Sequence, residues 1–377
     1  MTHTLLDNGT FFFPGPTEVR PAVLATMTRP MIPHRGAEFS AIFANIQRSL
    51  KVLFGTSRPV YVSSSSATGL MEAAMRAAPP GRVLSIVNGA FSERFAAIAR
   101  NCERETDLLE VPWGEVVALD ALESRLSGKR YAVVTVAHSE TSTGALTDVR
   151  GVTRIARAHG ARCLVDSVTG IGGAPLLFDA WELDLALTGS QKALALPPGL
   201  AFLACSSAFI AAAPATPGRG LYFDLVEFEE STAKNQTPNT PAISLFYAAE
   251  LQLDAIVAEG IPVRWARHAA MAARTHAWGS ELAARHGVAE LGVLAAEGHR
   301  SPTVTSITLP AALSGPTVVK AVKERGFTIG SGYGANKETT IRIGHMGDHT
   351  LPALERCLAA VDDVLHAVRS SHADAAR

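Results

Sequence analysis

Apolar residues along the chain fall into short runs that end at Gly, Ser or Asp, and a segment with helical spacing follows each run. Four runs predict β-strands: Arg82–Val87, Tyr131–Val136, Arg162–Asp166 and Asp184–Thr188. Their apolarity is continuous rather than alternating, which is typical of parallel strands covered on both faces. The intervening segments predict helices at Gly69–Ala78, Ser92–Asn101 and Asp148–His159. The pattern therefore predicts a doubly wound α/β lobe, with ligands bound at the carboxyl ends of its strands.

The pattern changes from about Pro241 onward. Long Ala-rich segments predict helices, and shorter apolar runs predict strands: helices at Ala242–Glu259, Pro262–His286, Pro316–Arg325 and Leu351 to about Ser370, and strands at Thr303–Leu309 and Thr339–Ile343. This indicates a smaller C-terminal α+β lobe. We predict an N-terminal arm (1–15), a large domain (16–258) and a small domain (259–377), packed as one unit because no low-complexity linker separates them.

Composition narrows the function classes. The chain has 377 residues, 47% of them hydrophobic and 18% charged, which is enough for two packed lobes. A formal net charge of −1 without a long basic run gives no reason to expect nucleic acid as a partner. The four cysteines lack CxxC spacing, so neither a metal site nor a disulfide framework is expected. No targeting segment or membrane-spanning run is evident, which predicts a cytoplasmic protein.

A lysine follows the last strand of the large lobe. Lys192 lies in Thr188–Leu194 among small and apolar neighbours. Desolvation there lowers a lysine's pKa, and a neutral amine is the form that attacks an aldehyde to give a Schiff base. From this segment alone, a surface lysine extending from a loop is an equally good interpretation.

A carboxylate ends a neighbouring strand. Asp166 follows Leu164-Val165, and a carboxylate in an apolar setting needs a cationic partner. A protonated pyridine nitrogen is such a partner, and its charge makes the ring an electron sink. The alternative is an aspartate that caps a helix or forms a turn.

Two further loops follow strands. Ser63–Gly69 opens a helix, and its small residues would let backbone amides and the helix dipole bind phosphate, although a serine-rich loop can also simply cap a helix. His138–Gly144 carries hydroxyls that suit a phenolate oxygen or a substrate, or that form a turn. In chain order, the phosphate-type loop, Phe91, the hydroxyl loop, Asp166 and Lys192 are the parts that a pyridoxal phosphate (PLP) site requires.

The chain resembles the class V aminotransferases of PLP fold type I, which include alanine–glyoxylate, serine–glyoxylate and serine–pyruvate transaminases. The resemblance covers nearly the whole chain and is carried by Pro14-Gly15-Pro16-Thr17, Asp166-Ser167-Val168, Gly189-Ser190-Gln191-Lys192-Ala193-Leu194, Pro197-Pro198-Gly199 and Ile341-Arg342-Ile343-Gly344. The Ser-Gln-Lys-Ala and Arg-Ile-Gly segments at this separation are specific to the group.

The resemblance implies roles for the candidate residues. Lys192 and Asp166 are the catalytic pair, the first as covalent anchor of PLP and the second as partner of its ring nitrogen. Val168 and Phe91 would contact the two ring faces, Phe91 at a position where relatives often have Trp. The implied cofactor-binding set is Ser66, Ala67, Thr68, Phe91, Thr141, Asp166, Val168, Gln191, Lys192, Asn239 and Thr240. Ala67 departs from the family, in which many members have Gly.

The resemblance also implies a homodimer and a substrate site. Thr237–Pro241 is similar to the segment that crosses the family's dimer interface to the neighbour's phosphate, which nominates Asn239 or Thr240. Arg342 is similar to the arginine that binds the substrate's α-carboxylate, a task suited to a bidentate donor, although a strand arginine can also simply face solvent. His34-Arg35 resembles a motif of members that handle a second anionic group, and His34 could equally bond within its loop.

The activity implied is a ping-pong transamination by Schiff-base chemistry. It would move an amino group between a small amino acid, alanine or serine favoured, and a 2-oxo acid, glyoxylate or pyruvate. Two alternatives stay open: a transaminase for an acidic or phosphorylated substrate, such as phosphoserine, aspartate or aminoethylphosphonate, and a PLP lyase of the cysteine desulfurase type. The latter needs a mobile cysteine late in the chain, whereas Cys357 falls in a predicted helix.

Overall fold

The computed structural model describes residues 4–375. Residues 1–3 of the predicted arm and 376–377 of the predicted small domain lie outside the described residues. The first part of the chain alternates strands and helices, as the apolar pattern predicts. Its elements are α1 Pro21–Thr26, α2 Ala37–Phe54, β1 Val60–Ser63, α3 Ala67–Ala77, β2 Val83–Val87, α4 Ala90–Asn101, β3 Thr106–Glu110, α5 Leu119–Gly128, β4 Val133–Ala137, β5 Ser139–Glu140, β6 Ala145–Leu146, α6 Val149–Ala158, β7 Arg162–Asp166, β8 Leu185–Gly189, β9 Ala201–Cys205, α7 Ser207–Ala212 and α8 Leu225–Thr232.

The remainder of the chain is richer in long helices. Its elements are α9 Ile243–Glu259, α10 Ile261–His286, β10 Gly292–Val293, β11 Val304–Thr308, α11 Gly315–Glu324, β12 Gly330–Ser331, β13 Thr340–Gly344 and α12 Leu351–Ala375. The predicted helices and strands are present within one to three residues of their predicted ends, except that α12 runs further than expected.

Seven strands form the larger sheet, in the order β1-β9-β8-β7-β4-β2-β3. The pairs from β8 to β3 are all parallel, and β9 alone runs against its neighbours β8 and β1. Every residue of β2, β4, β8 and β9 is buried, which explains why their sequences are mostly apolar and do not alternate. The fold is the mostly parallel α/β arrangement that the sequence predicts.

A second sheet of four antiparallel strands, in the order β10-β11-β13-β12, belongs to the C-terminal part. Helices α10, α11 and α12 cover it and bury a separate apolar cluster that includes Trp278, Ile307 and Leu358. Within residues 4–375, none of the helices combines the length and the apolarity needed to cross a membrane.

The sheet topology places candidate groups at one edge. Strands β1, β2, β4, β7 and β8 run in the same direction, so their carboxyl ends share an edge of the larger sheet. The loops that leave this edge are the ones in which the sequence predicts the phosphate loop, Phe91, the hydroxyl loop, Asp166 and Lys192.

Candidate active site

A cavity of about 330 Å³ lies at this edge of the larger sheet. Nine of the eleven predicted cofactor-binding residues line it: Ser66, Ala67, Thr68, Phe91, Thr141, Asp166, Val168, Gln191 and Lys192. The remaining lining residues are Gly15, Pro16, Met71, Arg94, Ser139, Thr169 and Pro198. Residues from six separate segments of sequence thus meet around one space.

Lys192 is buried in the cavity wall. Burial and the nearby charge of Arg342 lower the pKa of its ammonium to about 7, while Asp166 acts in the opposite direction. Its Nζ lies 5.9 Å from the centre of the Phe91 ring. A substantial fraction of this amine is therefore neutral near pH 7, as the sequence argument requires of a nucleophilic lysine.

The N-terminal arm completes the surroundings of Lys192, a contact that the local sequence pattern does not predict. Nζ of Lys192 donates to the carbonyl of Pro14, and a Cβ on Gly15 would overlap the lysine side chain. Thr17 fixes the lysine backbone, because its Oγ1 donates to the Lys192 carbonyl at 3.0 Å. A glycine is needed at residue 15 because φ is +115° and the lysine leaves no room.

Asp166 ends strand β7 and is also buried. Burial raises the pKa of its carboxyl to about 7, against the hydrogen bond that the Val168 N–H donates to Oδ1 at 2.9 Å. Among the described residues its carboxylate forms no ion pair. A cationic ligand in the cavity would therefore supply the partner that keeps it ionised.

Glu140 is a site residue that the sequence argument did not single out. Its carboxylate is fully buried and accepts hydrogen bonds from the backbone N–H groups of Phe91 (3.3 Å) and Ser92 (2.9 Å) in the first turn of α4. It also accepts from the Ser142 hydroxyl at 2.6 Å. Glu140 thereby fixes the start of the helix that carries Phe91.

Helix α3 begins at the cavity. Ser66 occupies its N-cap position, and the Ser66 side chain does not cap the helix. Ser66, Ala67 and Thr68 line the cavity, so the first turn and its dipole face the enclosed space. This is the arrangement by which helix N-termini hold phosphate groups.

Arg342 reaches the cavity region from β13. Its Nε donates to the Ser331 carbonyl at 2.8 Å and Nη1 to the Thr141 carbonyl at 3.2 Å. Burial lowers the pKa of its guanidinium to about 10, so Arg342 stays cationic at neutral pH. Among the described residues its side chain forms these two hydrogen bonds, so Nη2 is available to a ligand.

Four predicted residues lie away from the cavity within this chain. Arg35 is exposed and donates to the carbonyls of Thr237 (2.7 Å) and Pro238 (3.1 Å), and His34 precedes it in the same loop. Asn239 and Thr240 lie beside the loop after β1, next to Ser63 and Ser64. Their predicted roles toward a second anion and a neighbouring subunit stay predictions.

Comparison with known proteins identifies the family. The family model "Aminotransferase class-V" matches residues 21–346. The chain belongs to the class-V aminotransferases. A relative from Synechococcus sp., named soluble hydrogenase, small subunit, is 33% identical over 94% of this chain and 93% of its own length. L-aspartate–glyoxylate aminotransferase of Paracoccus denitrificans is 32% identical, covering 90% of this chain and 86% of the relative.

Solved structures agree with this assignment. The alanine–glyoxylate aminotransferase of Nostoc sp. superposes with a TM-score of 0.88 at 29% identity, over 94% of this chain and 95% of the other. Class-V aminotransferases of this fold depend on PLP, and their substrates are amino acids and 2-oxo acids. This chain is accordingly a PLP-dependent aminotransferase of fold type I.

The residues present fit the cofactor. A class-V aminotransferase needs an amine for the aldehyde, a carboxylate for the ring nitrogen and an anion site for the phosphate. Lys192, Asp166 and the first turn of α3 line the same cavity, and among the described residues the buried Asp166 carboxylate forms no ion pair. Phe91 and Val168 add apolar surface for an aromatic ring.

Proposed function

We propose that this aminotransferase moves an amino group between a small amino acid, alanine or serine favoured, and glyoxylate or pyruvate. The proposal rests on one observation: Lys192 and Asp166 are buried on the same cavity, with the Arg342 guanidinium beside it. The names of the Nostoc and Paracoccus relatives, which include glyoxylate as a substrate, support the choice of acceptor.

In this proposal Lys192 is the covalent anchor and the proton carrier. PLP, when bound, supplies an aldehyde that condenses with amines and a ring that withdraws electrons from the substrate's α-carbon. Burial keeps the Lys192 amine partly neutral, so Nζ can accept a proton near pH 7 and return it. The Pro14 carbonyl accepts from Nζ and limits where the amine points.

The other residues bind and orient. Asp166 faces the cavity as the carboxylate that would hold the ring nitrogen, and Phe91 and Val168 would pack against the ring. Ser66, Ala67 and Thr68, together with Gln191, would hold the phosphate at the first turn of α3, and Thr141 would hold the phenolic oxygen. Arg342 binds the α-carboxylate through the face that its bonds to Ser331 and Thr141 leave open.

We also propose a cytoplasmic homodimer in which Asn239 or Thr240 reaches the neighbour's phosphate. Both residues lie beside Ser63 and Ser64. Arg35 holds the same segment by donating to the carbonyls of the two residues that precede Asn239. Exposed apolar side chains on nearby segments, Met31 (66% exposed) and Leu221 (81%), suit a subunit contact. Sedimentation equilibrium tests the dimer, and a monomer at micromolar concentration contradicts it.

The decisive experiment replaces the anchor. We expect Lys192→Ala to remove the visible absorbance of the PLP-loaded protein and to lower turnover of alanine with glyoxylate by at least about 10⁴-fold, because covalent and acid–base catalysis are both lost. Lys234→Ala, at an exposed residue, is the matched control and keeps colour and activity. A coloured and active Lys192→Ala protein contradicts the assignment.

The desulfurase alternative lacks its nucleophile in this structure. Cys163, Cys205 and Cys357 are buried, Cys102 is half-buried, and no cysteine is among the residues that line the described cavity. Burial raises the pKa of the Cys357 thiol inside α12, which disfavours the thiolate. Release of sulfide from cysteine by the purified protein would overturn this exclusion.

A further inference from the structure

A second cationic side chain lines the cavity besides Lys192. Arg94 lies on α4, one turn after Phe91, and its Cζ is 5.0 Å from the centre of the Phe91 ring. The arginine is half-buried, so water screens its charge less than it would on an open surface. The sequence does not predict that Arg94 faces the cavity, because an arginine on a helix usually faces solvent.

The guanidinium of Arg94 lacks a carboxylate partner in the part of the chain that the structure describes. Within residues 4–375, no Asp or Glu oxygen lies within ion-pair distance of its guanidinium. The hydrogen bond that its side chain does form runs from Nη2 to the Tyr333 hydroxyl at 2.8 Å. A guanidinium has five N–H donors in a planar fork, so most of its capacity is left for a ligand in the cavity.

Tyr333 links Arg94 to Arg342. It follows β12, and its ring stacks on Phe91 with centroids 5.1 Å apart and planes at 19°. The Cζ of Arg342 lies 5.6 Å from the centre of the Tyr333 ring, while Arg94 binds the hydroxyl at the other end. Two guanidinium groups therefore approach one tyrosine side chain, and each has N–H donors that form no hydrogen bond among the described residues.

We propose that Arg94, oriented by Tyr333, binds the distal carboxylate of a dicarboxylic amino or 2-oxo acid whose α-carboxylate is on Arg342. This inference rests on the proposed function and adds a dicarboxylic class to its substrates. A carboxylate matches the planar fork and neutralises a half-buried charge that the described residues leave unpaired. Arg35 of the His34-Arg35 loop, in contrast, donates to backbone carbonyls outside the cavity.

The first test measures binding without turnover. The PLP-loaded protein is titrated calorimetrically with succinate and with butyrate, which have the same carbon count and differ by one carboxylate. We expect succinate to bind at least about tenfold more tightly, because a charge-assisted pair corresponds to roughly a 10- to 100-fold change in affinity. Arg94→Gln removes the preference, and Arg94→Lys keeps part of it because the charge remains without the fork.

A matched control lies on the same helix. Arg100 is an exposed arginine in the last turn of α4, and Arg100→Gln keeps the preference for succinate. Equal binding of succinate and butyrate by the unmodified protein overturns the proposal. So does an undiminished preference in Arg94→Gln.

The second test follows a single half-reaction. Conversion of the loaded cofactor to its amine form is timed with L-aspartate and L-alanine, and Arg94→Gln is expected to lower the aspartate-to-alanine ratio of kcat/KM by about 10- to 100-fold. If no amino acid converts the unmodified protein, the proposed function fails. If alanine converts it but the ratio is insensitive to Arg94→Gln, this inference alone fails. An Arg94-dependent preference for L-phosphoserine over L-aspartate overturns the assignment to a carboxylate.

Discussion

Lys192 and Asp166 show how burial sets the chemistry of single residues. Desolvation lowers the pKa of the lysine and raises that of the aspartate, each to about 7. Near neutral pH the amine is therefore partly uncharged and the carboxyl partly protonated. A ligand that brings a positive charge to Asp166 lowers the pKa of this carboxyl again and keeps it ionised. The cofactor ring nitrogen and Asp166 would therefore stabilise each other's charge.

The lowered pKa of Lys192 predicts how cofactor capture depends on pH. Only the neutral amine attacks the PLP aldehyde, so the capture rate of the cofactor-free protein should rise with pH up to about 7 and level off above it. Stopped-flow absorbance after mixing with PLP measures this rate. A rate that still rises steeply toward pH 10, as for free N-α-acetyl-lysine amide, contradicts the lowered pKa.

Asp166 provides a control for this experiment. Its carboxyl titrates in the same range, and its negative charge raises the pKa of Lys192. In Asp166→Asn that charge is lost, so the inflection for capture should move to lower pH. An inflection that disappears in this variant instead assigns the pH dependence to Asp166.

The sequence predicts which residues at strand ends lie near the cavity better than it predicts which side of a helix faces the cavity. Lys192 and Asp166 could be found because strand ends of a parallel sheet share an edge. Arg94 could not, since nothing in α4 distinguishes a cavity-facing arginine from a solvent-facing one. The contact between Pro14 and Lys192 joins residues far apart in the chain, and local pattern carries no information about it.

At the scale of elements, the start of α4 illustrates how one carboxylate can hold a helix. Gly89 precedes the helix and has no side chain to cap it. Glu140, from β5, supplies the missing acceptors to the N–H groups of Phe91 and Ser92. A Cβ on Gly89 would lie 2.4 Å from Cγ of Glu140, so a glycine is needed here for the Glu140 side chain to reach the start of α4.

We expect Glu140→Gln to lower the free energy of unfolding by about 1–3 kcal/mol, because the amide nitrogen cannot accept from buried N–H groups. It should also weaken PLP binding, since Phe91 lies in the same turn. Urea denaturation and a cofactor titration measure the two effects. Glu93→Gln, exposed in the first turn of α4, is the matched control. Equal losses of unfolding free energy in both variants would contradict the role of Glu140 as the cap of α4.

The boundaries of the predicted elements follow from the sequence, whereas strands β3 and β9 are not among the predicted elements. Continuous apolarity located β2, β4, β7 and β8 but is the same for a strand that runs either way. Strand β9 is fully buried and antiparallel to β8, although its sequence is as continuously apolar as those of the predicted parallel strands. Strand β3 was missed because it lies at the sheet edge and its residues are only partly buried or exposed.

At the scale of the whole molecule, a buried ionic network connects helices α9 and α10, and the segments before α1 and α12, to the lysine loop. Asp348 accepts from Arg20 (2.7 Å), Gln252 (2.9 Å) and Arg264 (3.0 Å). Arg264 and Gln252 also donate to the carbonyls of the two residues after Lys192, at 2.6 and 3.0 Å. The loop that anchors the cofactor is thus fixed from α9, α10 and the segment before α12.

Asp348→Asn should destabilise the protein by about 3–5 kcal/mol, because it removes one charge from a buried ionic network and leaves Arg20 and Arg264 undercompensated. The free energy of unfolding at pH 7, from urea denaturation, measures the loss. Asp363→Asn, at an exposed residue of α12, is the matched control and should change stability by less than about 0.5 kcal/mol. A loss in Asp348→Asn no greater than in the control contradicts a structural role for the network.

The acid dependence of stability separates the charge of Asp348 from its packing. Burial alone would raise the pKa of this carboxyl, but the two arginines and Gln252 bring it down to about 2. A carboxylate whose folded pKa is depressed stabilises fully above its ordinary value near 3.8, and this contribution is lost as pH falls toward 2. The stability difference between the unmodified protein and Asp348→Asn should therefore shrink by about 2 kcal/mol between pH 5 and pH 2. A difference that stays constant over this range would assign the effect to packing, since only an ionised Asp348 makes it depend on pH.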